Sequence, residues 1–240
     1  MTLLELIDQL INLPSKKNKA PLIIDGGCNV GQFAQQVAKG FPKAKILAFE
    51  PDPESSKAAR KNLANHKNFS LVEAALGPTK SKAEFHRGPI SETNSLLPRP
   101  QSELKPYYPE IASLEGGTFV DVVSIDDECS NRGIEQIDLL KLDLQGGELG
   151  ALEGARKMLE NGSIKVVMSE SVFVKKYQDQ PLLWQLWQYL EQFGYTLYCL
   201  SDVKIGLYDS QEVSLRNIQW NQCDTIFLSP EIRALMDAQA

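Results

Sequence analysis

Apolar residues along the chain form short runs that alternate with stripes at helical spacing. Runs typical of buried strands occur at residues 22–24, 46–49, 69–72, 118–125, 137–142, 164–168, 195–200 and 223–228. Between them, apolar positions repeat every three or four residues, which predicts helices after Gly31 and at 54–64, 147–159 and 181–193, with a short helix or turn at 126–131. This alternation predicts an α/β fold: a mostly parallel sheet with helices on both faces and two antiparallel strands at its end.

Two segments stand apart from the alternation. Residues 3–11 carry an apolar stripe that ends at Pro14, so residues 1–20 are predicted to form an N-terminal helix and linker ahead of a single domain at 21–240. Residues 77–117 contain six prolines and only a short strand-like piece at 83–86. A long irregular connection in a compact domain is usually functional. We therefore expect this insertion to form part of the substrate side of a site.

Charge narrows the classes of function. The 240 residues include 25 Lys and Arg against 31 Asp and Glu, a formal net charge of −6, and no basic stretch exceeds residues 16–19. A duplex-binding surface needs a basic stripe, so no nucleic-acid partner is expected. No apolar run reaches the roughly 20 residues that span a bilayer, and Met1–Glu5 lacks the basic start of a signal peptide. The prediction is a cytoplasmic protein without a membrane partner.

Cysteines and aromatic residues add two expectations. The four cysteines are widely separated and only two histidines occur, so reduced thiols and no metal site are predicted. The predicted helix at 181–193 is apolar over much of its circumference and includes Trp184 and Trp187. It is either a core helix or a self-association surface, so a homo-oligomer is one partner hypothesis.

Acidic residues directly follow five of the predicted strands. Ligands of a parallel sheet bind beyond the carboxyl ends of its strands. The positions there are the loop Asp25–Gly31 and the single residues Glu50, Glu73, Asp143 and Glu170. The sequence therefore predicts a ligand site at this edge of the sheet.

The loop Asp25–Gly31 lies between a strand and a helix, and its glycines permit close approach of a ligand to backbone. Read as a dinucleotide fingerprint it places Cys28 where NAD binding needs the middle glycine. In the other register, Asp25, Gly27, Asn29 and Gly31 put a carboxylate at the strand end. This carboxylate suits a cofactor with an ammonium and a sulfonium, S-adenosylmethionine. A turn that binds nothing remains the third interpretation.

Two further strand ends fit a nucleoside. Glu50 can accept both ribose hydroxyls, with Pro51 fixing the turn that aims it, although an acid ahead of a helix is also common for stability alone. By the same logic, Glu73 and Ala74 after the third strand are expected to meet the adenine.

Six segments in this order resemble the FkbM-type S-adenosylmethionine-dependent methyltransferases: 24–31, 49–51, 74–77, 93–96, 123–127 and 137–148. The resemblance implies a Rossmann-like class I methyltransferase fold with a seven-stranded sheet. It also implies Gly26, Asn94 and Ser95 at the cofactor. Gln145 departs from the family, which usually has Glu there, and Cys28 replaces a usual Ala.

What the resemblance implies chemically is O-methylation of a hydroxyl on a sugar or other secondary metabolite. Such a reaction needs a group that collects the hydroxyl proton. Asp143 is the best-placed acid, with helix capping as its alternative role. His86 is a second candidate base, or simply a surface residue. Gln145 leaves open a third hypothesis, a methyltransferase-like protein that binds but transfers nothing.

Overall fold

The computed structural model describes residues 20–99, 117–207 and 218–238, together with Gln9. The predicted N-terminal helix at 1–20 and residues 100–116 of the proline-rich insertion therefore lie almost wholly outside the described residues. The strands of the described part are β1 Leu22–Gly26, β2 Lys45–Phe49, β3 Phe69–Val72, β4 Ala75–Leu76, β5 Ser81–Phe85, β6 Thr118–Val123, β7 Ile137–Leu142, β8 Ile164–Val172, β9 Thr196–Leu207 and β10 Ile218–Leu228. The helices are α1 Gln32–Gly40, α2 Pro53–Asn62, α3 Ile125–Arg132, α4 Glu148–Glu153, α5 Arg156–Glu160, α6 Leu183–Glu191 and α7 Pro230–Asp237.

Seven strands form one sheet in the order β3-β2-β1-β7-β8-β10-β9. The first five are parallel, and β10 runs antiparallel to both of its neighbours. The order reverses beside β1, which lies between β2 and β7, so the carboxyl end of β1 is where a ligand cleft is expected. The predicted Rossmann-like fold is confirmed, including its antiparallel last pair.

Successive side chains of each strand point to opposite faces of the sheet, and helices pack on both of these apolar faces. Ile23 of β1 packs in a cluster with Val37 of α1 and Ile232 of α7. Its neighbour Ile24 faces the opposite cluster, to which α3, α4, α5 and α6 contribute. Each face of a parallel sheet buried in this way excludes water from the strand backbones.

Local signals explain where several helices begin and end. Asp52 accepts a hydrogen bond from the Ser55 N–H at the start of α2, where Pro53 takes the first helical position. Ser124 caps α3 in the same way, and Gly133 ends it in the left-handed conformation at φ 63°. These caps set the direction in which each helix leaves the sheet.

The prediction of one continuous helix at 147–159 is wrong, because the structure has two helices there, α4 and α5. The Asp126 carboxylate accepts the N–H groups of Lys157 and Met158 at 2.9 and 3.1 Å, which caps a new helix start inside the apolar stripe. A Cβ on Gly154 would lie 2.1 Å from the carbonyl oxygen of Gly77. Close backbone packing at this glycine therefore accompanies the break.

The strand predicted at 118–125 ends at Val123 and joins a second, three-stranded sheet of order β4-β6-β5. This small sheet packs around Phe85, Val120 and Val122. It holds the described part of the proline-rich insertion beside the main sheet, because the chain returns from β5 at Phe85 toward the cleft.

Helix α6 buries Leu183, Leu186 and Leu190 in the core, while Trp184 and Trp187 are 56% and 41% exposed. The core interpretation holds for one side of the helix, and self-association stays a prediction. Across the described segments, no helix combines the length and apolar character needed to cross a membrane.

Candidate functional site

A cleft of about 580 Å³ opens where the parallel strands end. This volume is in the range of small-molecule and cofactor sites. Eight of the residues predicted from the sequence line it, namely Gly27, Asn29, Glu50, Pro51, Ala74, Asn94, Asp143 and Glu170. The remaining six do not, and they are Asp25, Gly26, Gly31, Glu73, His86 and Ser95.

The glycine loop presents backbone to the cleft because Gly27 has no side chain. Gly27 has φ +70°, and a Cβ there would lie 2.0 Å from the carbonyl oxygen of Asp143. The N–H groups of Gly27 and Cys28 both donate to the carbonyl oxygen of Phe49, at 3.0 and 3.1 Å. The loop is thereby held against the ends of β2 and β7, so only glycine fits at position 27.

Cys28 is one of the residues that line the cleft, and it is also buried against Ala48 and Ala59. Burial raises the pKa of this thiol well above its usual value, with Asp25 and Glu50 adding to the effect. The prediction that a side chain at position 28 disfavours a dinucleotide stays a prediction.

Glu50 is 7% exposed and holds the loop from the second strand. Its two carboxylate oxygens accept the backbone N–H groups of Asn29 and Asp52, each at 2.9 Å. Burial raises its pKa to about 7, against the lowering effect of those two N–H groups. Each oxygen keeps a further lone pair, so the side chain can still accept hydroxyl groups from a ligand in the cleft.

An apolar patch lies next to Glu50 on the same wall. It is formed by Phe49, Ala74, Ala75, Leu76, Phe85 and Leu96, all of which line the cleft. A carboxylate beside a flat apolar surface fits a nucleoside, with its ribose on the acid and its base on the patch. Of the predicted adenine contacts Glu73 and Ala74, Glu73 is exposed and outside the cleft, because its side chain follows the end of β3 into solvent.

Asp25 was predicted to face a cofactor, and the structure places its carboxylate inside the protein instead. Asp25 is fully buried, and its Oδ1 lies 3.1 Å from the Nζ of Lys141. The two residues are register partners on the adjacent strands β1 and β7. Lys141 also donates to the carbonyl oxygen of Gly27 at 3.0 Å. The buried pair thus fixes the glycine loop from below.

Lys141 is a functional candidate that the sequence argument passed over. Burial alone lowers the pKa of its ammonium, but Asp25 and Asp143 more than offset this, so the pKa is raised and the group stays charged. Its position inside an apolar strand, Ile137–Leu142, was the available signal, because a charged residue there needs a buried partner.

Gly26 and Gly31 are closely packed and do not line the cleft. A Cβ on Gly26 would lie 2.8 Å from a Leu76 methyl group, and one on Gly31 would lie 2.7 Å from a Leu63 methyl group. Gly31 also has φ +85°, at the start of α1. Both glycines allow the elements around the loop to approach one another.

Residues 86–99, which we call the strap, cross the side of the cleft. His86, the first residue of the strap, pairs through its backbone with Ser95 at 2.8 and 3.0 Å, and neither residue lines the cleft. Between them, Ser91 Oγ lies 3.1 Å from Asn29 Nδ2 of the glycine loop. The Asn94 carboxamide oxygen accepts the Gly88 N–H at 2.9 Å, which shapes the turn. The proposed catalytic role of His86 gains no support from this placement.

The opposite wall of the cleft carries acids from three strands. Asp143 follows β7, Glu170 lies in β8 and Asp224 lies in β10. Burial and the nearby Asp143 raise the pKa of Glu170 to about 7 and that of Asp224 to about 6. Asp143 has 41% of its side chain exposed, and its Oδ2 lies 3.8 Å from Lys141 Nζ.

Within the described part of the chain, no group of three or more His, Cys, Asp or Glu residues is arranged to hold a metal ion. The cleft is therefore described by its backbone loop, the Glu50 carboxylate, the apolar patch and the acids of the opposite wall.

Part of the chain is similar to known proteins. Residues 25–197 match the family model described as the methyltransferase FkbM domain. Over 157 residues the chain is 31% identical to a 2-O-methyltransferase, NoeI, from Sinorhizobium fredii (strain NBRC 101917 / NGR234), which covers 63% of each chain. Over 171 residues it is 32% identical to methyltransferase sdnD from Sordaria araneosa, covering 60% of this chain and 62% of that one. The chain thus spans less than two thirds of the length of these relatives.

Proposed function

Since the chain belongs to the FkbM methyltransferase family, as its motifs predicted, we propose that it transfers a methyl group from S-adenosylmethionine to a hydroxyl of a small molecule. The observation that carries the proposal is the position of Asp143. This carboxylate is part-exposed in the same cleft as the glycine loop and Glu50. A cofactor site and a proton acceptor therefore share one cavity.

The residues of the cleft fit the cofactor of this family. Backbone at Gly27 is open to the cleft, Glu50 retains acceptor capacity for ribose hydroxyls, and the apolar patch suits an adenine ring. S-adenosylmethionine, when bound, supplies an electrophilic methyl group on a sulfonium. The buried Asp25 acts on this site through Lys141 and the loop rather than by contact.

Asp143 is suited to hold the proton that the acceptor hydroxyl loses. Its Oδ1 accepts a hydrogen bond from the Gln145 amide at 2.9 Å, and its Oδ2 faces the Lys141 ammonium. The methyl transfer itself requires alignment and exclusion of water more than acid–base strength. The strap lies beside the cleft and supplies part of that enclosure.

A hydroxylated acceptor is favoured by two considerations. One of the relatives is named a 2-O-methyltransferase. The wall around Asp143 is polar and includes Glu170, Lys176 and Gln222, which offer donors and acceptors to a substrate with several hydroxyl groups. A sugar or another polyhydroxylated metabolite is the proposed class. The NAD-dependent alternative falls away with membership of a methyltransferase family.

Thermal unfolding with S-adenosylmethionine, S-adenosylhomocysteine or NAD tests the cofactor first. A ligand at about 100 times its Kd stabilises the native state by roughly 2.7 kcal/mol. We expect a shift with the first two and none with NAD. A shift with NAD alone would contradict the proposal.

Transfer is then measured with S-adenosylmethionine labelled at its methyl group and a panel of monosaccharides, glycosides and aromatic alcohols. We expect labelled product from at least one hydroxylated compound, and a loss of about 100-fold or more in turnover for Asp143→Asn. Asp121→Asn, at an exposed residue of the second sheet, is the matched control. Label recovered on an amine or a thiol, or full turnover by Asp143→Asn, would overturn the assignment.

A further inference from the structure

The wall that carries Asp143, Glu170 and Asp224 is called the acceptor wall below. Every polar atom of the Gln145 side chain is hydrogen-bonded there. Its Nε2 lies 2.9 Å from Asp143 Oδ1 and 3.0 Å from Glu170 Oε2. A primary amide nitrogen carries two hydrogens, so it can donate one to each carboxylate at the same time. The amide is therefore a neutral bridge between two acids that come from different strands.

The two acids themselves fix which end of the amide faces them, because ionised carboxylates only accept hydrogen bonds and only Nε2 can donate. Gln145 Oε1 then faces the Tyr177 hydroxyl at 3.1 Å. That hydroxyl has one hydrogen, which it shares between Gln145 Oε1 and the carbonyl oxygen of Thr93 in the strap, 3.0 Å away. The orientation of the amide is thus tied to the wall of the cofactor cleft.

The backbone of Gln145 is held as firmly as its side chain. It has φ +52°, in the left-handed region that non-glycine residues seldom adopt. Ser95 Oγ donates to its carbonyl oxygen at 2.7 Å, and the buried Glu148 accepts the N–H groups of Leu144 and Gly146 at 2.8 and 3.2 Å. Contacts on both sides hold the turn, so the amide is aimed rather than free to rotate away.

The Asp143 and Glu170 carboxylates both contact one amide nitrogen, so they lie close together, and two carboxylates so placed tend to share a proton when no donor lies between them. A shared proton would block the acceptor role of Asp143. We propose that Gln145 is a positioning residue whose amide hydrogens take the place of that shared proton, so that the Asp143 carboxylate stays free to accept the proton of the acceptor hydroxyl. The inference rests on the proposed function, in which Asp143 is the proton acceptor.

Glu170 is the sensitive reporter of this bridge. Its Oε1 accepts the Gln222 amide at 2.7 Å, and its Oε2 has the Gln145 donor. Burial and Asp143 already raise its pKa to about 7, so removal of a donor shifts its titration within a measurable range.

Several charged or titratable groups surround this bridge, and their titration affects that of Glu170. Asp143 and Glu148 belong to the same turn, and Glu170 faces the amide from β8. The neighbouring elements contribute Lys141 from β7, Lys176 and Tyr177 from the segment after β8, Arg99 from the strap and Asp224 from β10. The Lys176 ammonium contacts Gln222 and lowers the pKa of Glu170, which opposes the effect of Asp143.

Carboxyl carbon NMR of the labelled protein, saturated with S-adenosylhomocysteine, tests the bridge without any methyl acceptor. Spectra are recorded from about pH 5 to pH 9 for the unmodified chain, Gln145→Ala and Gln145→Glu. In Gln145→Ala we expect the Glu170 midpoint to rise by about one pH unit. Gln145→Glu is expected to add a carboxyl that titrates well above the ordinary value of about 4.3, because two acids face it.

Gln188→Glu supplies the matched control on the exposed side of α6. Its new carboxyl is expected to titrate at the ordinary value and to leave Glu170 unchanged. If Gln145→Ala loses its dispersed spectrum, Tyr177→Phe takes its place. This variant removes the hydroxyl beside Gln145 Oε1, and we expect a smaller upward shift of the Glu170 titration midpoint.

A Glu170 midpoint that stays the same in folded Gln145→Ala, or a Gln145→Glu carboxyl that titrates like that of Gln188→Glu, would overturn the bridge. These outcomes are separate from the proposed function. A normal shift with no labelled product in the acceptor panel removes the proposed reaction alone, whereas labelled product with no shift removes the bridge alone.

Discussion

The two walls of the cleft are built in different ways. The cofactor wall comes from the ends of β1 and β2, where Gly27 exposes backbone and Glu50 is fixed by two backbone N–H groups. The acceptor wall is made of side chains from β7, β8 and β10 that bond to one another, as Gln145 does with Asp143 and Glu170. A wall defined by backbone tolerates few substitutions, while a wall of side chains can be rebuilt for another substrate.

Under the proposed assignment of the two walls, one cofactor site can be combined with different acceptor sites. Cofactor geometry is set by the fold, since the loop is held to β2 and β7 by main-chain contacts. Acceptor geometry is set by a few residues on separate elements, which can change without moving the sheet. Variants in each wall test this difference.

Gly27→Ala should have the largest effect. The new Cβ would lie 2.0 Å from a backbone oxygen of Asp143 and would have to adopt φ +70°. Unfavourable conformation and overpacking together should lower the free energy of unfolding by about 4 kcal/mol. Urea denaturation measures the loss.

Gly162→Ala is the control for this change. Gly162 has a similar φ of +63°, but a Cβ there meets nothing within 4 Å. Only the conformational cost remains, about 1 kcal/mol. Equal losses in the two variants would show that close approach at the glycine loop contributes nothing.

Glu50→Gln comes next, with an expected tenfold weakening of S-adenosylhomocysteine binding, about 1.4 kcal/mol. The amide presents a donor where Asn29 and Asp52 already donate, so one acceptor and the charge are lost. Calorimetric titration measures the Kd. Glu92→Gln removes a charge from the strap side of the same cleft and is expected to leave the Kd within about twofold.

The affinity of the unmodified chain for S-adenosylhomocysteine should also depend on pH. The raised pKa of Glu50, about 7, means that the carboxylate is protonated as the pH falls below that value. Binding should therefore weaken between about pH 8 and pH 6 and become flat over that range in Glu50→Gln. A pH profile that is the same in both proteins would remove Glu50 from the ribose site.

Gln145→Glu should destabilise the acceptor wall in a pH-dependent manner. The new acid faces Asp143 and Glu170, so its pKa in the folded state exceeds that in the unfolded state. Stability associated with such a group is present at low pH and is lost as the pH rises through the folded pKa. The gap in unfolding free energy from the unmodified chain should widen by about 1 kcal/mol between about pH 5 and pH 8. A constant gap would argue against carboxylates facing position 145.

Ser91→Ala should have the smallest effect. It removes the exposed hydrogen bond between the strap and Asn29, at 3.1 Å. Exposed hydrogen bonds exchange readily with water, so the Kd for S-adenosylhomocysteine should change by about twofold at most. A much larger loss would show that the strap, and not only the loop and Glu50, holds the cofactor.

Features that depend on local sequence could be predicted, whereas features that depend on contacts between distant segments could not. The alternation of strands and helices, the glycine turn and the acid at residue 50 are local signals, and each was confirmed or found in the cleft. The orientation of Asp25 was not predictable, because its burial depends on Lys141 from a strand more than a hundred residues away.

The spacing of residues in the sequence did not predict the contacts of the acceptor wall either. Gln145 stood out only as a departure from a family pattern, and its bridge to Glu170 depends on β7 and β8 lying side by side. The division of the predicted helix at 147–159 followed from the Asp126 cap, a tertiary contact that overrides an apolar stripe. Local patterns predict elements, whereas contacts between distant segments decide how polar groups are paired.

A crystal structure of the chain with S-adenosylhomocysteine would show directly where the nucleoside and the sulfur lie in the cleft. We expect ribose hydroxyls within hydrogen-bond distance of the Glu50 carboxylate, the adenine on the apolar patch, and the sulfur directed toward the wall that holds Asp143. A nucleoside bound away from Glu50, or a sulfur that faces away from Asp143, would contradict this arrangement.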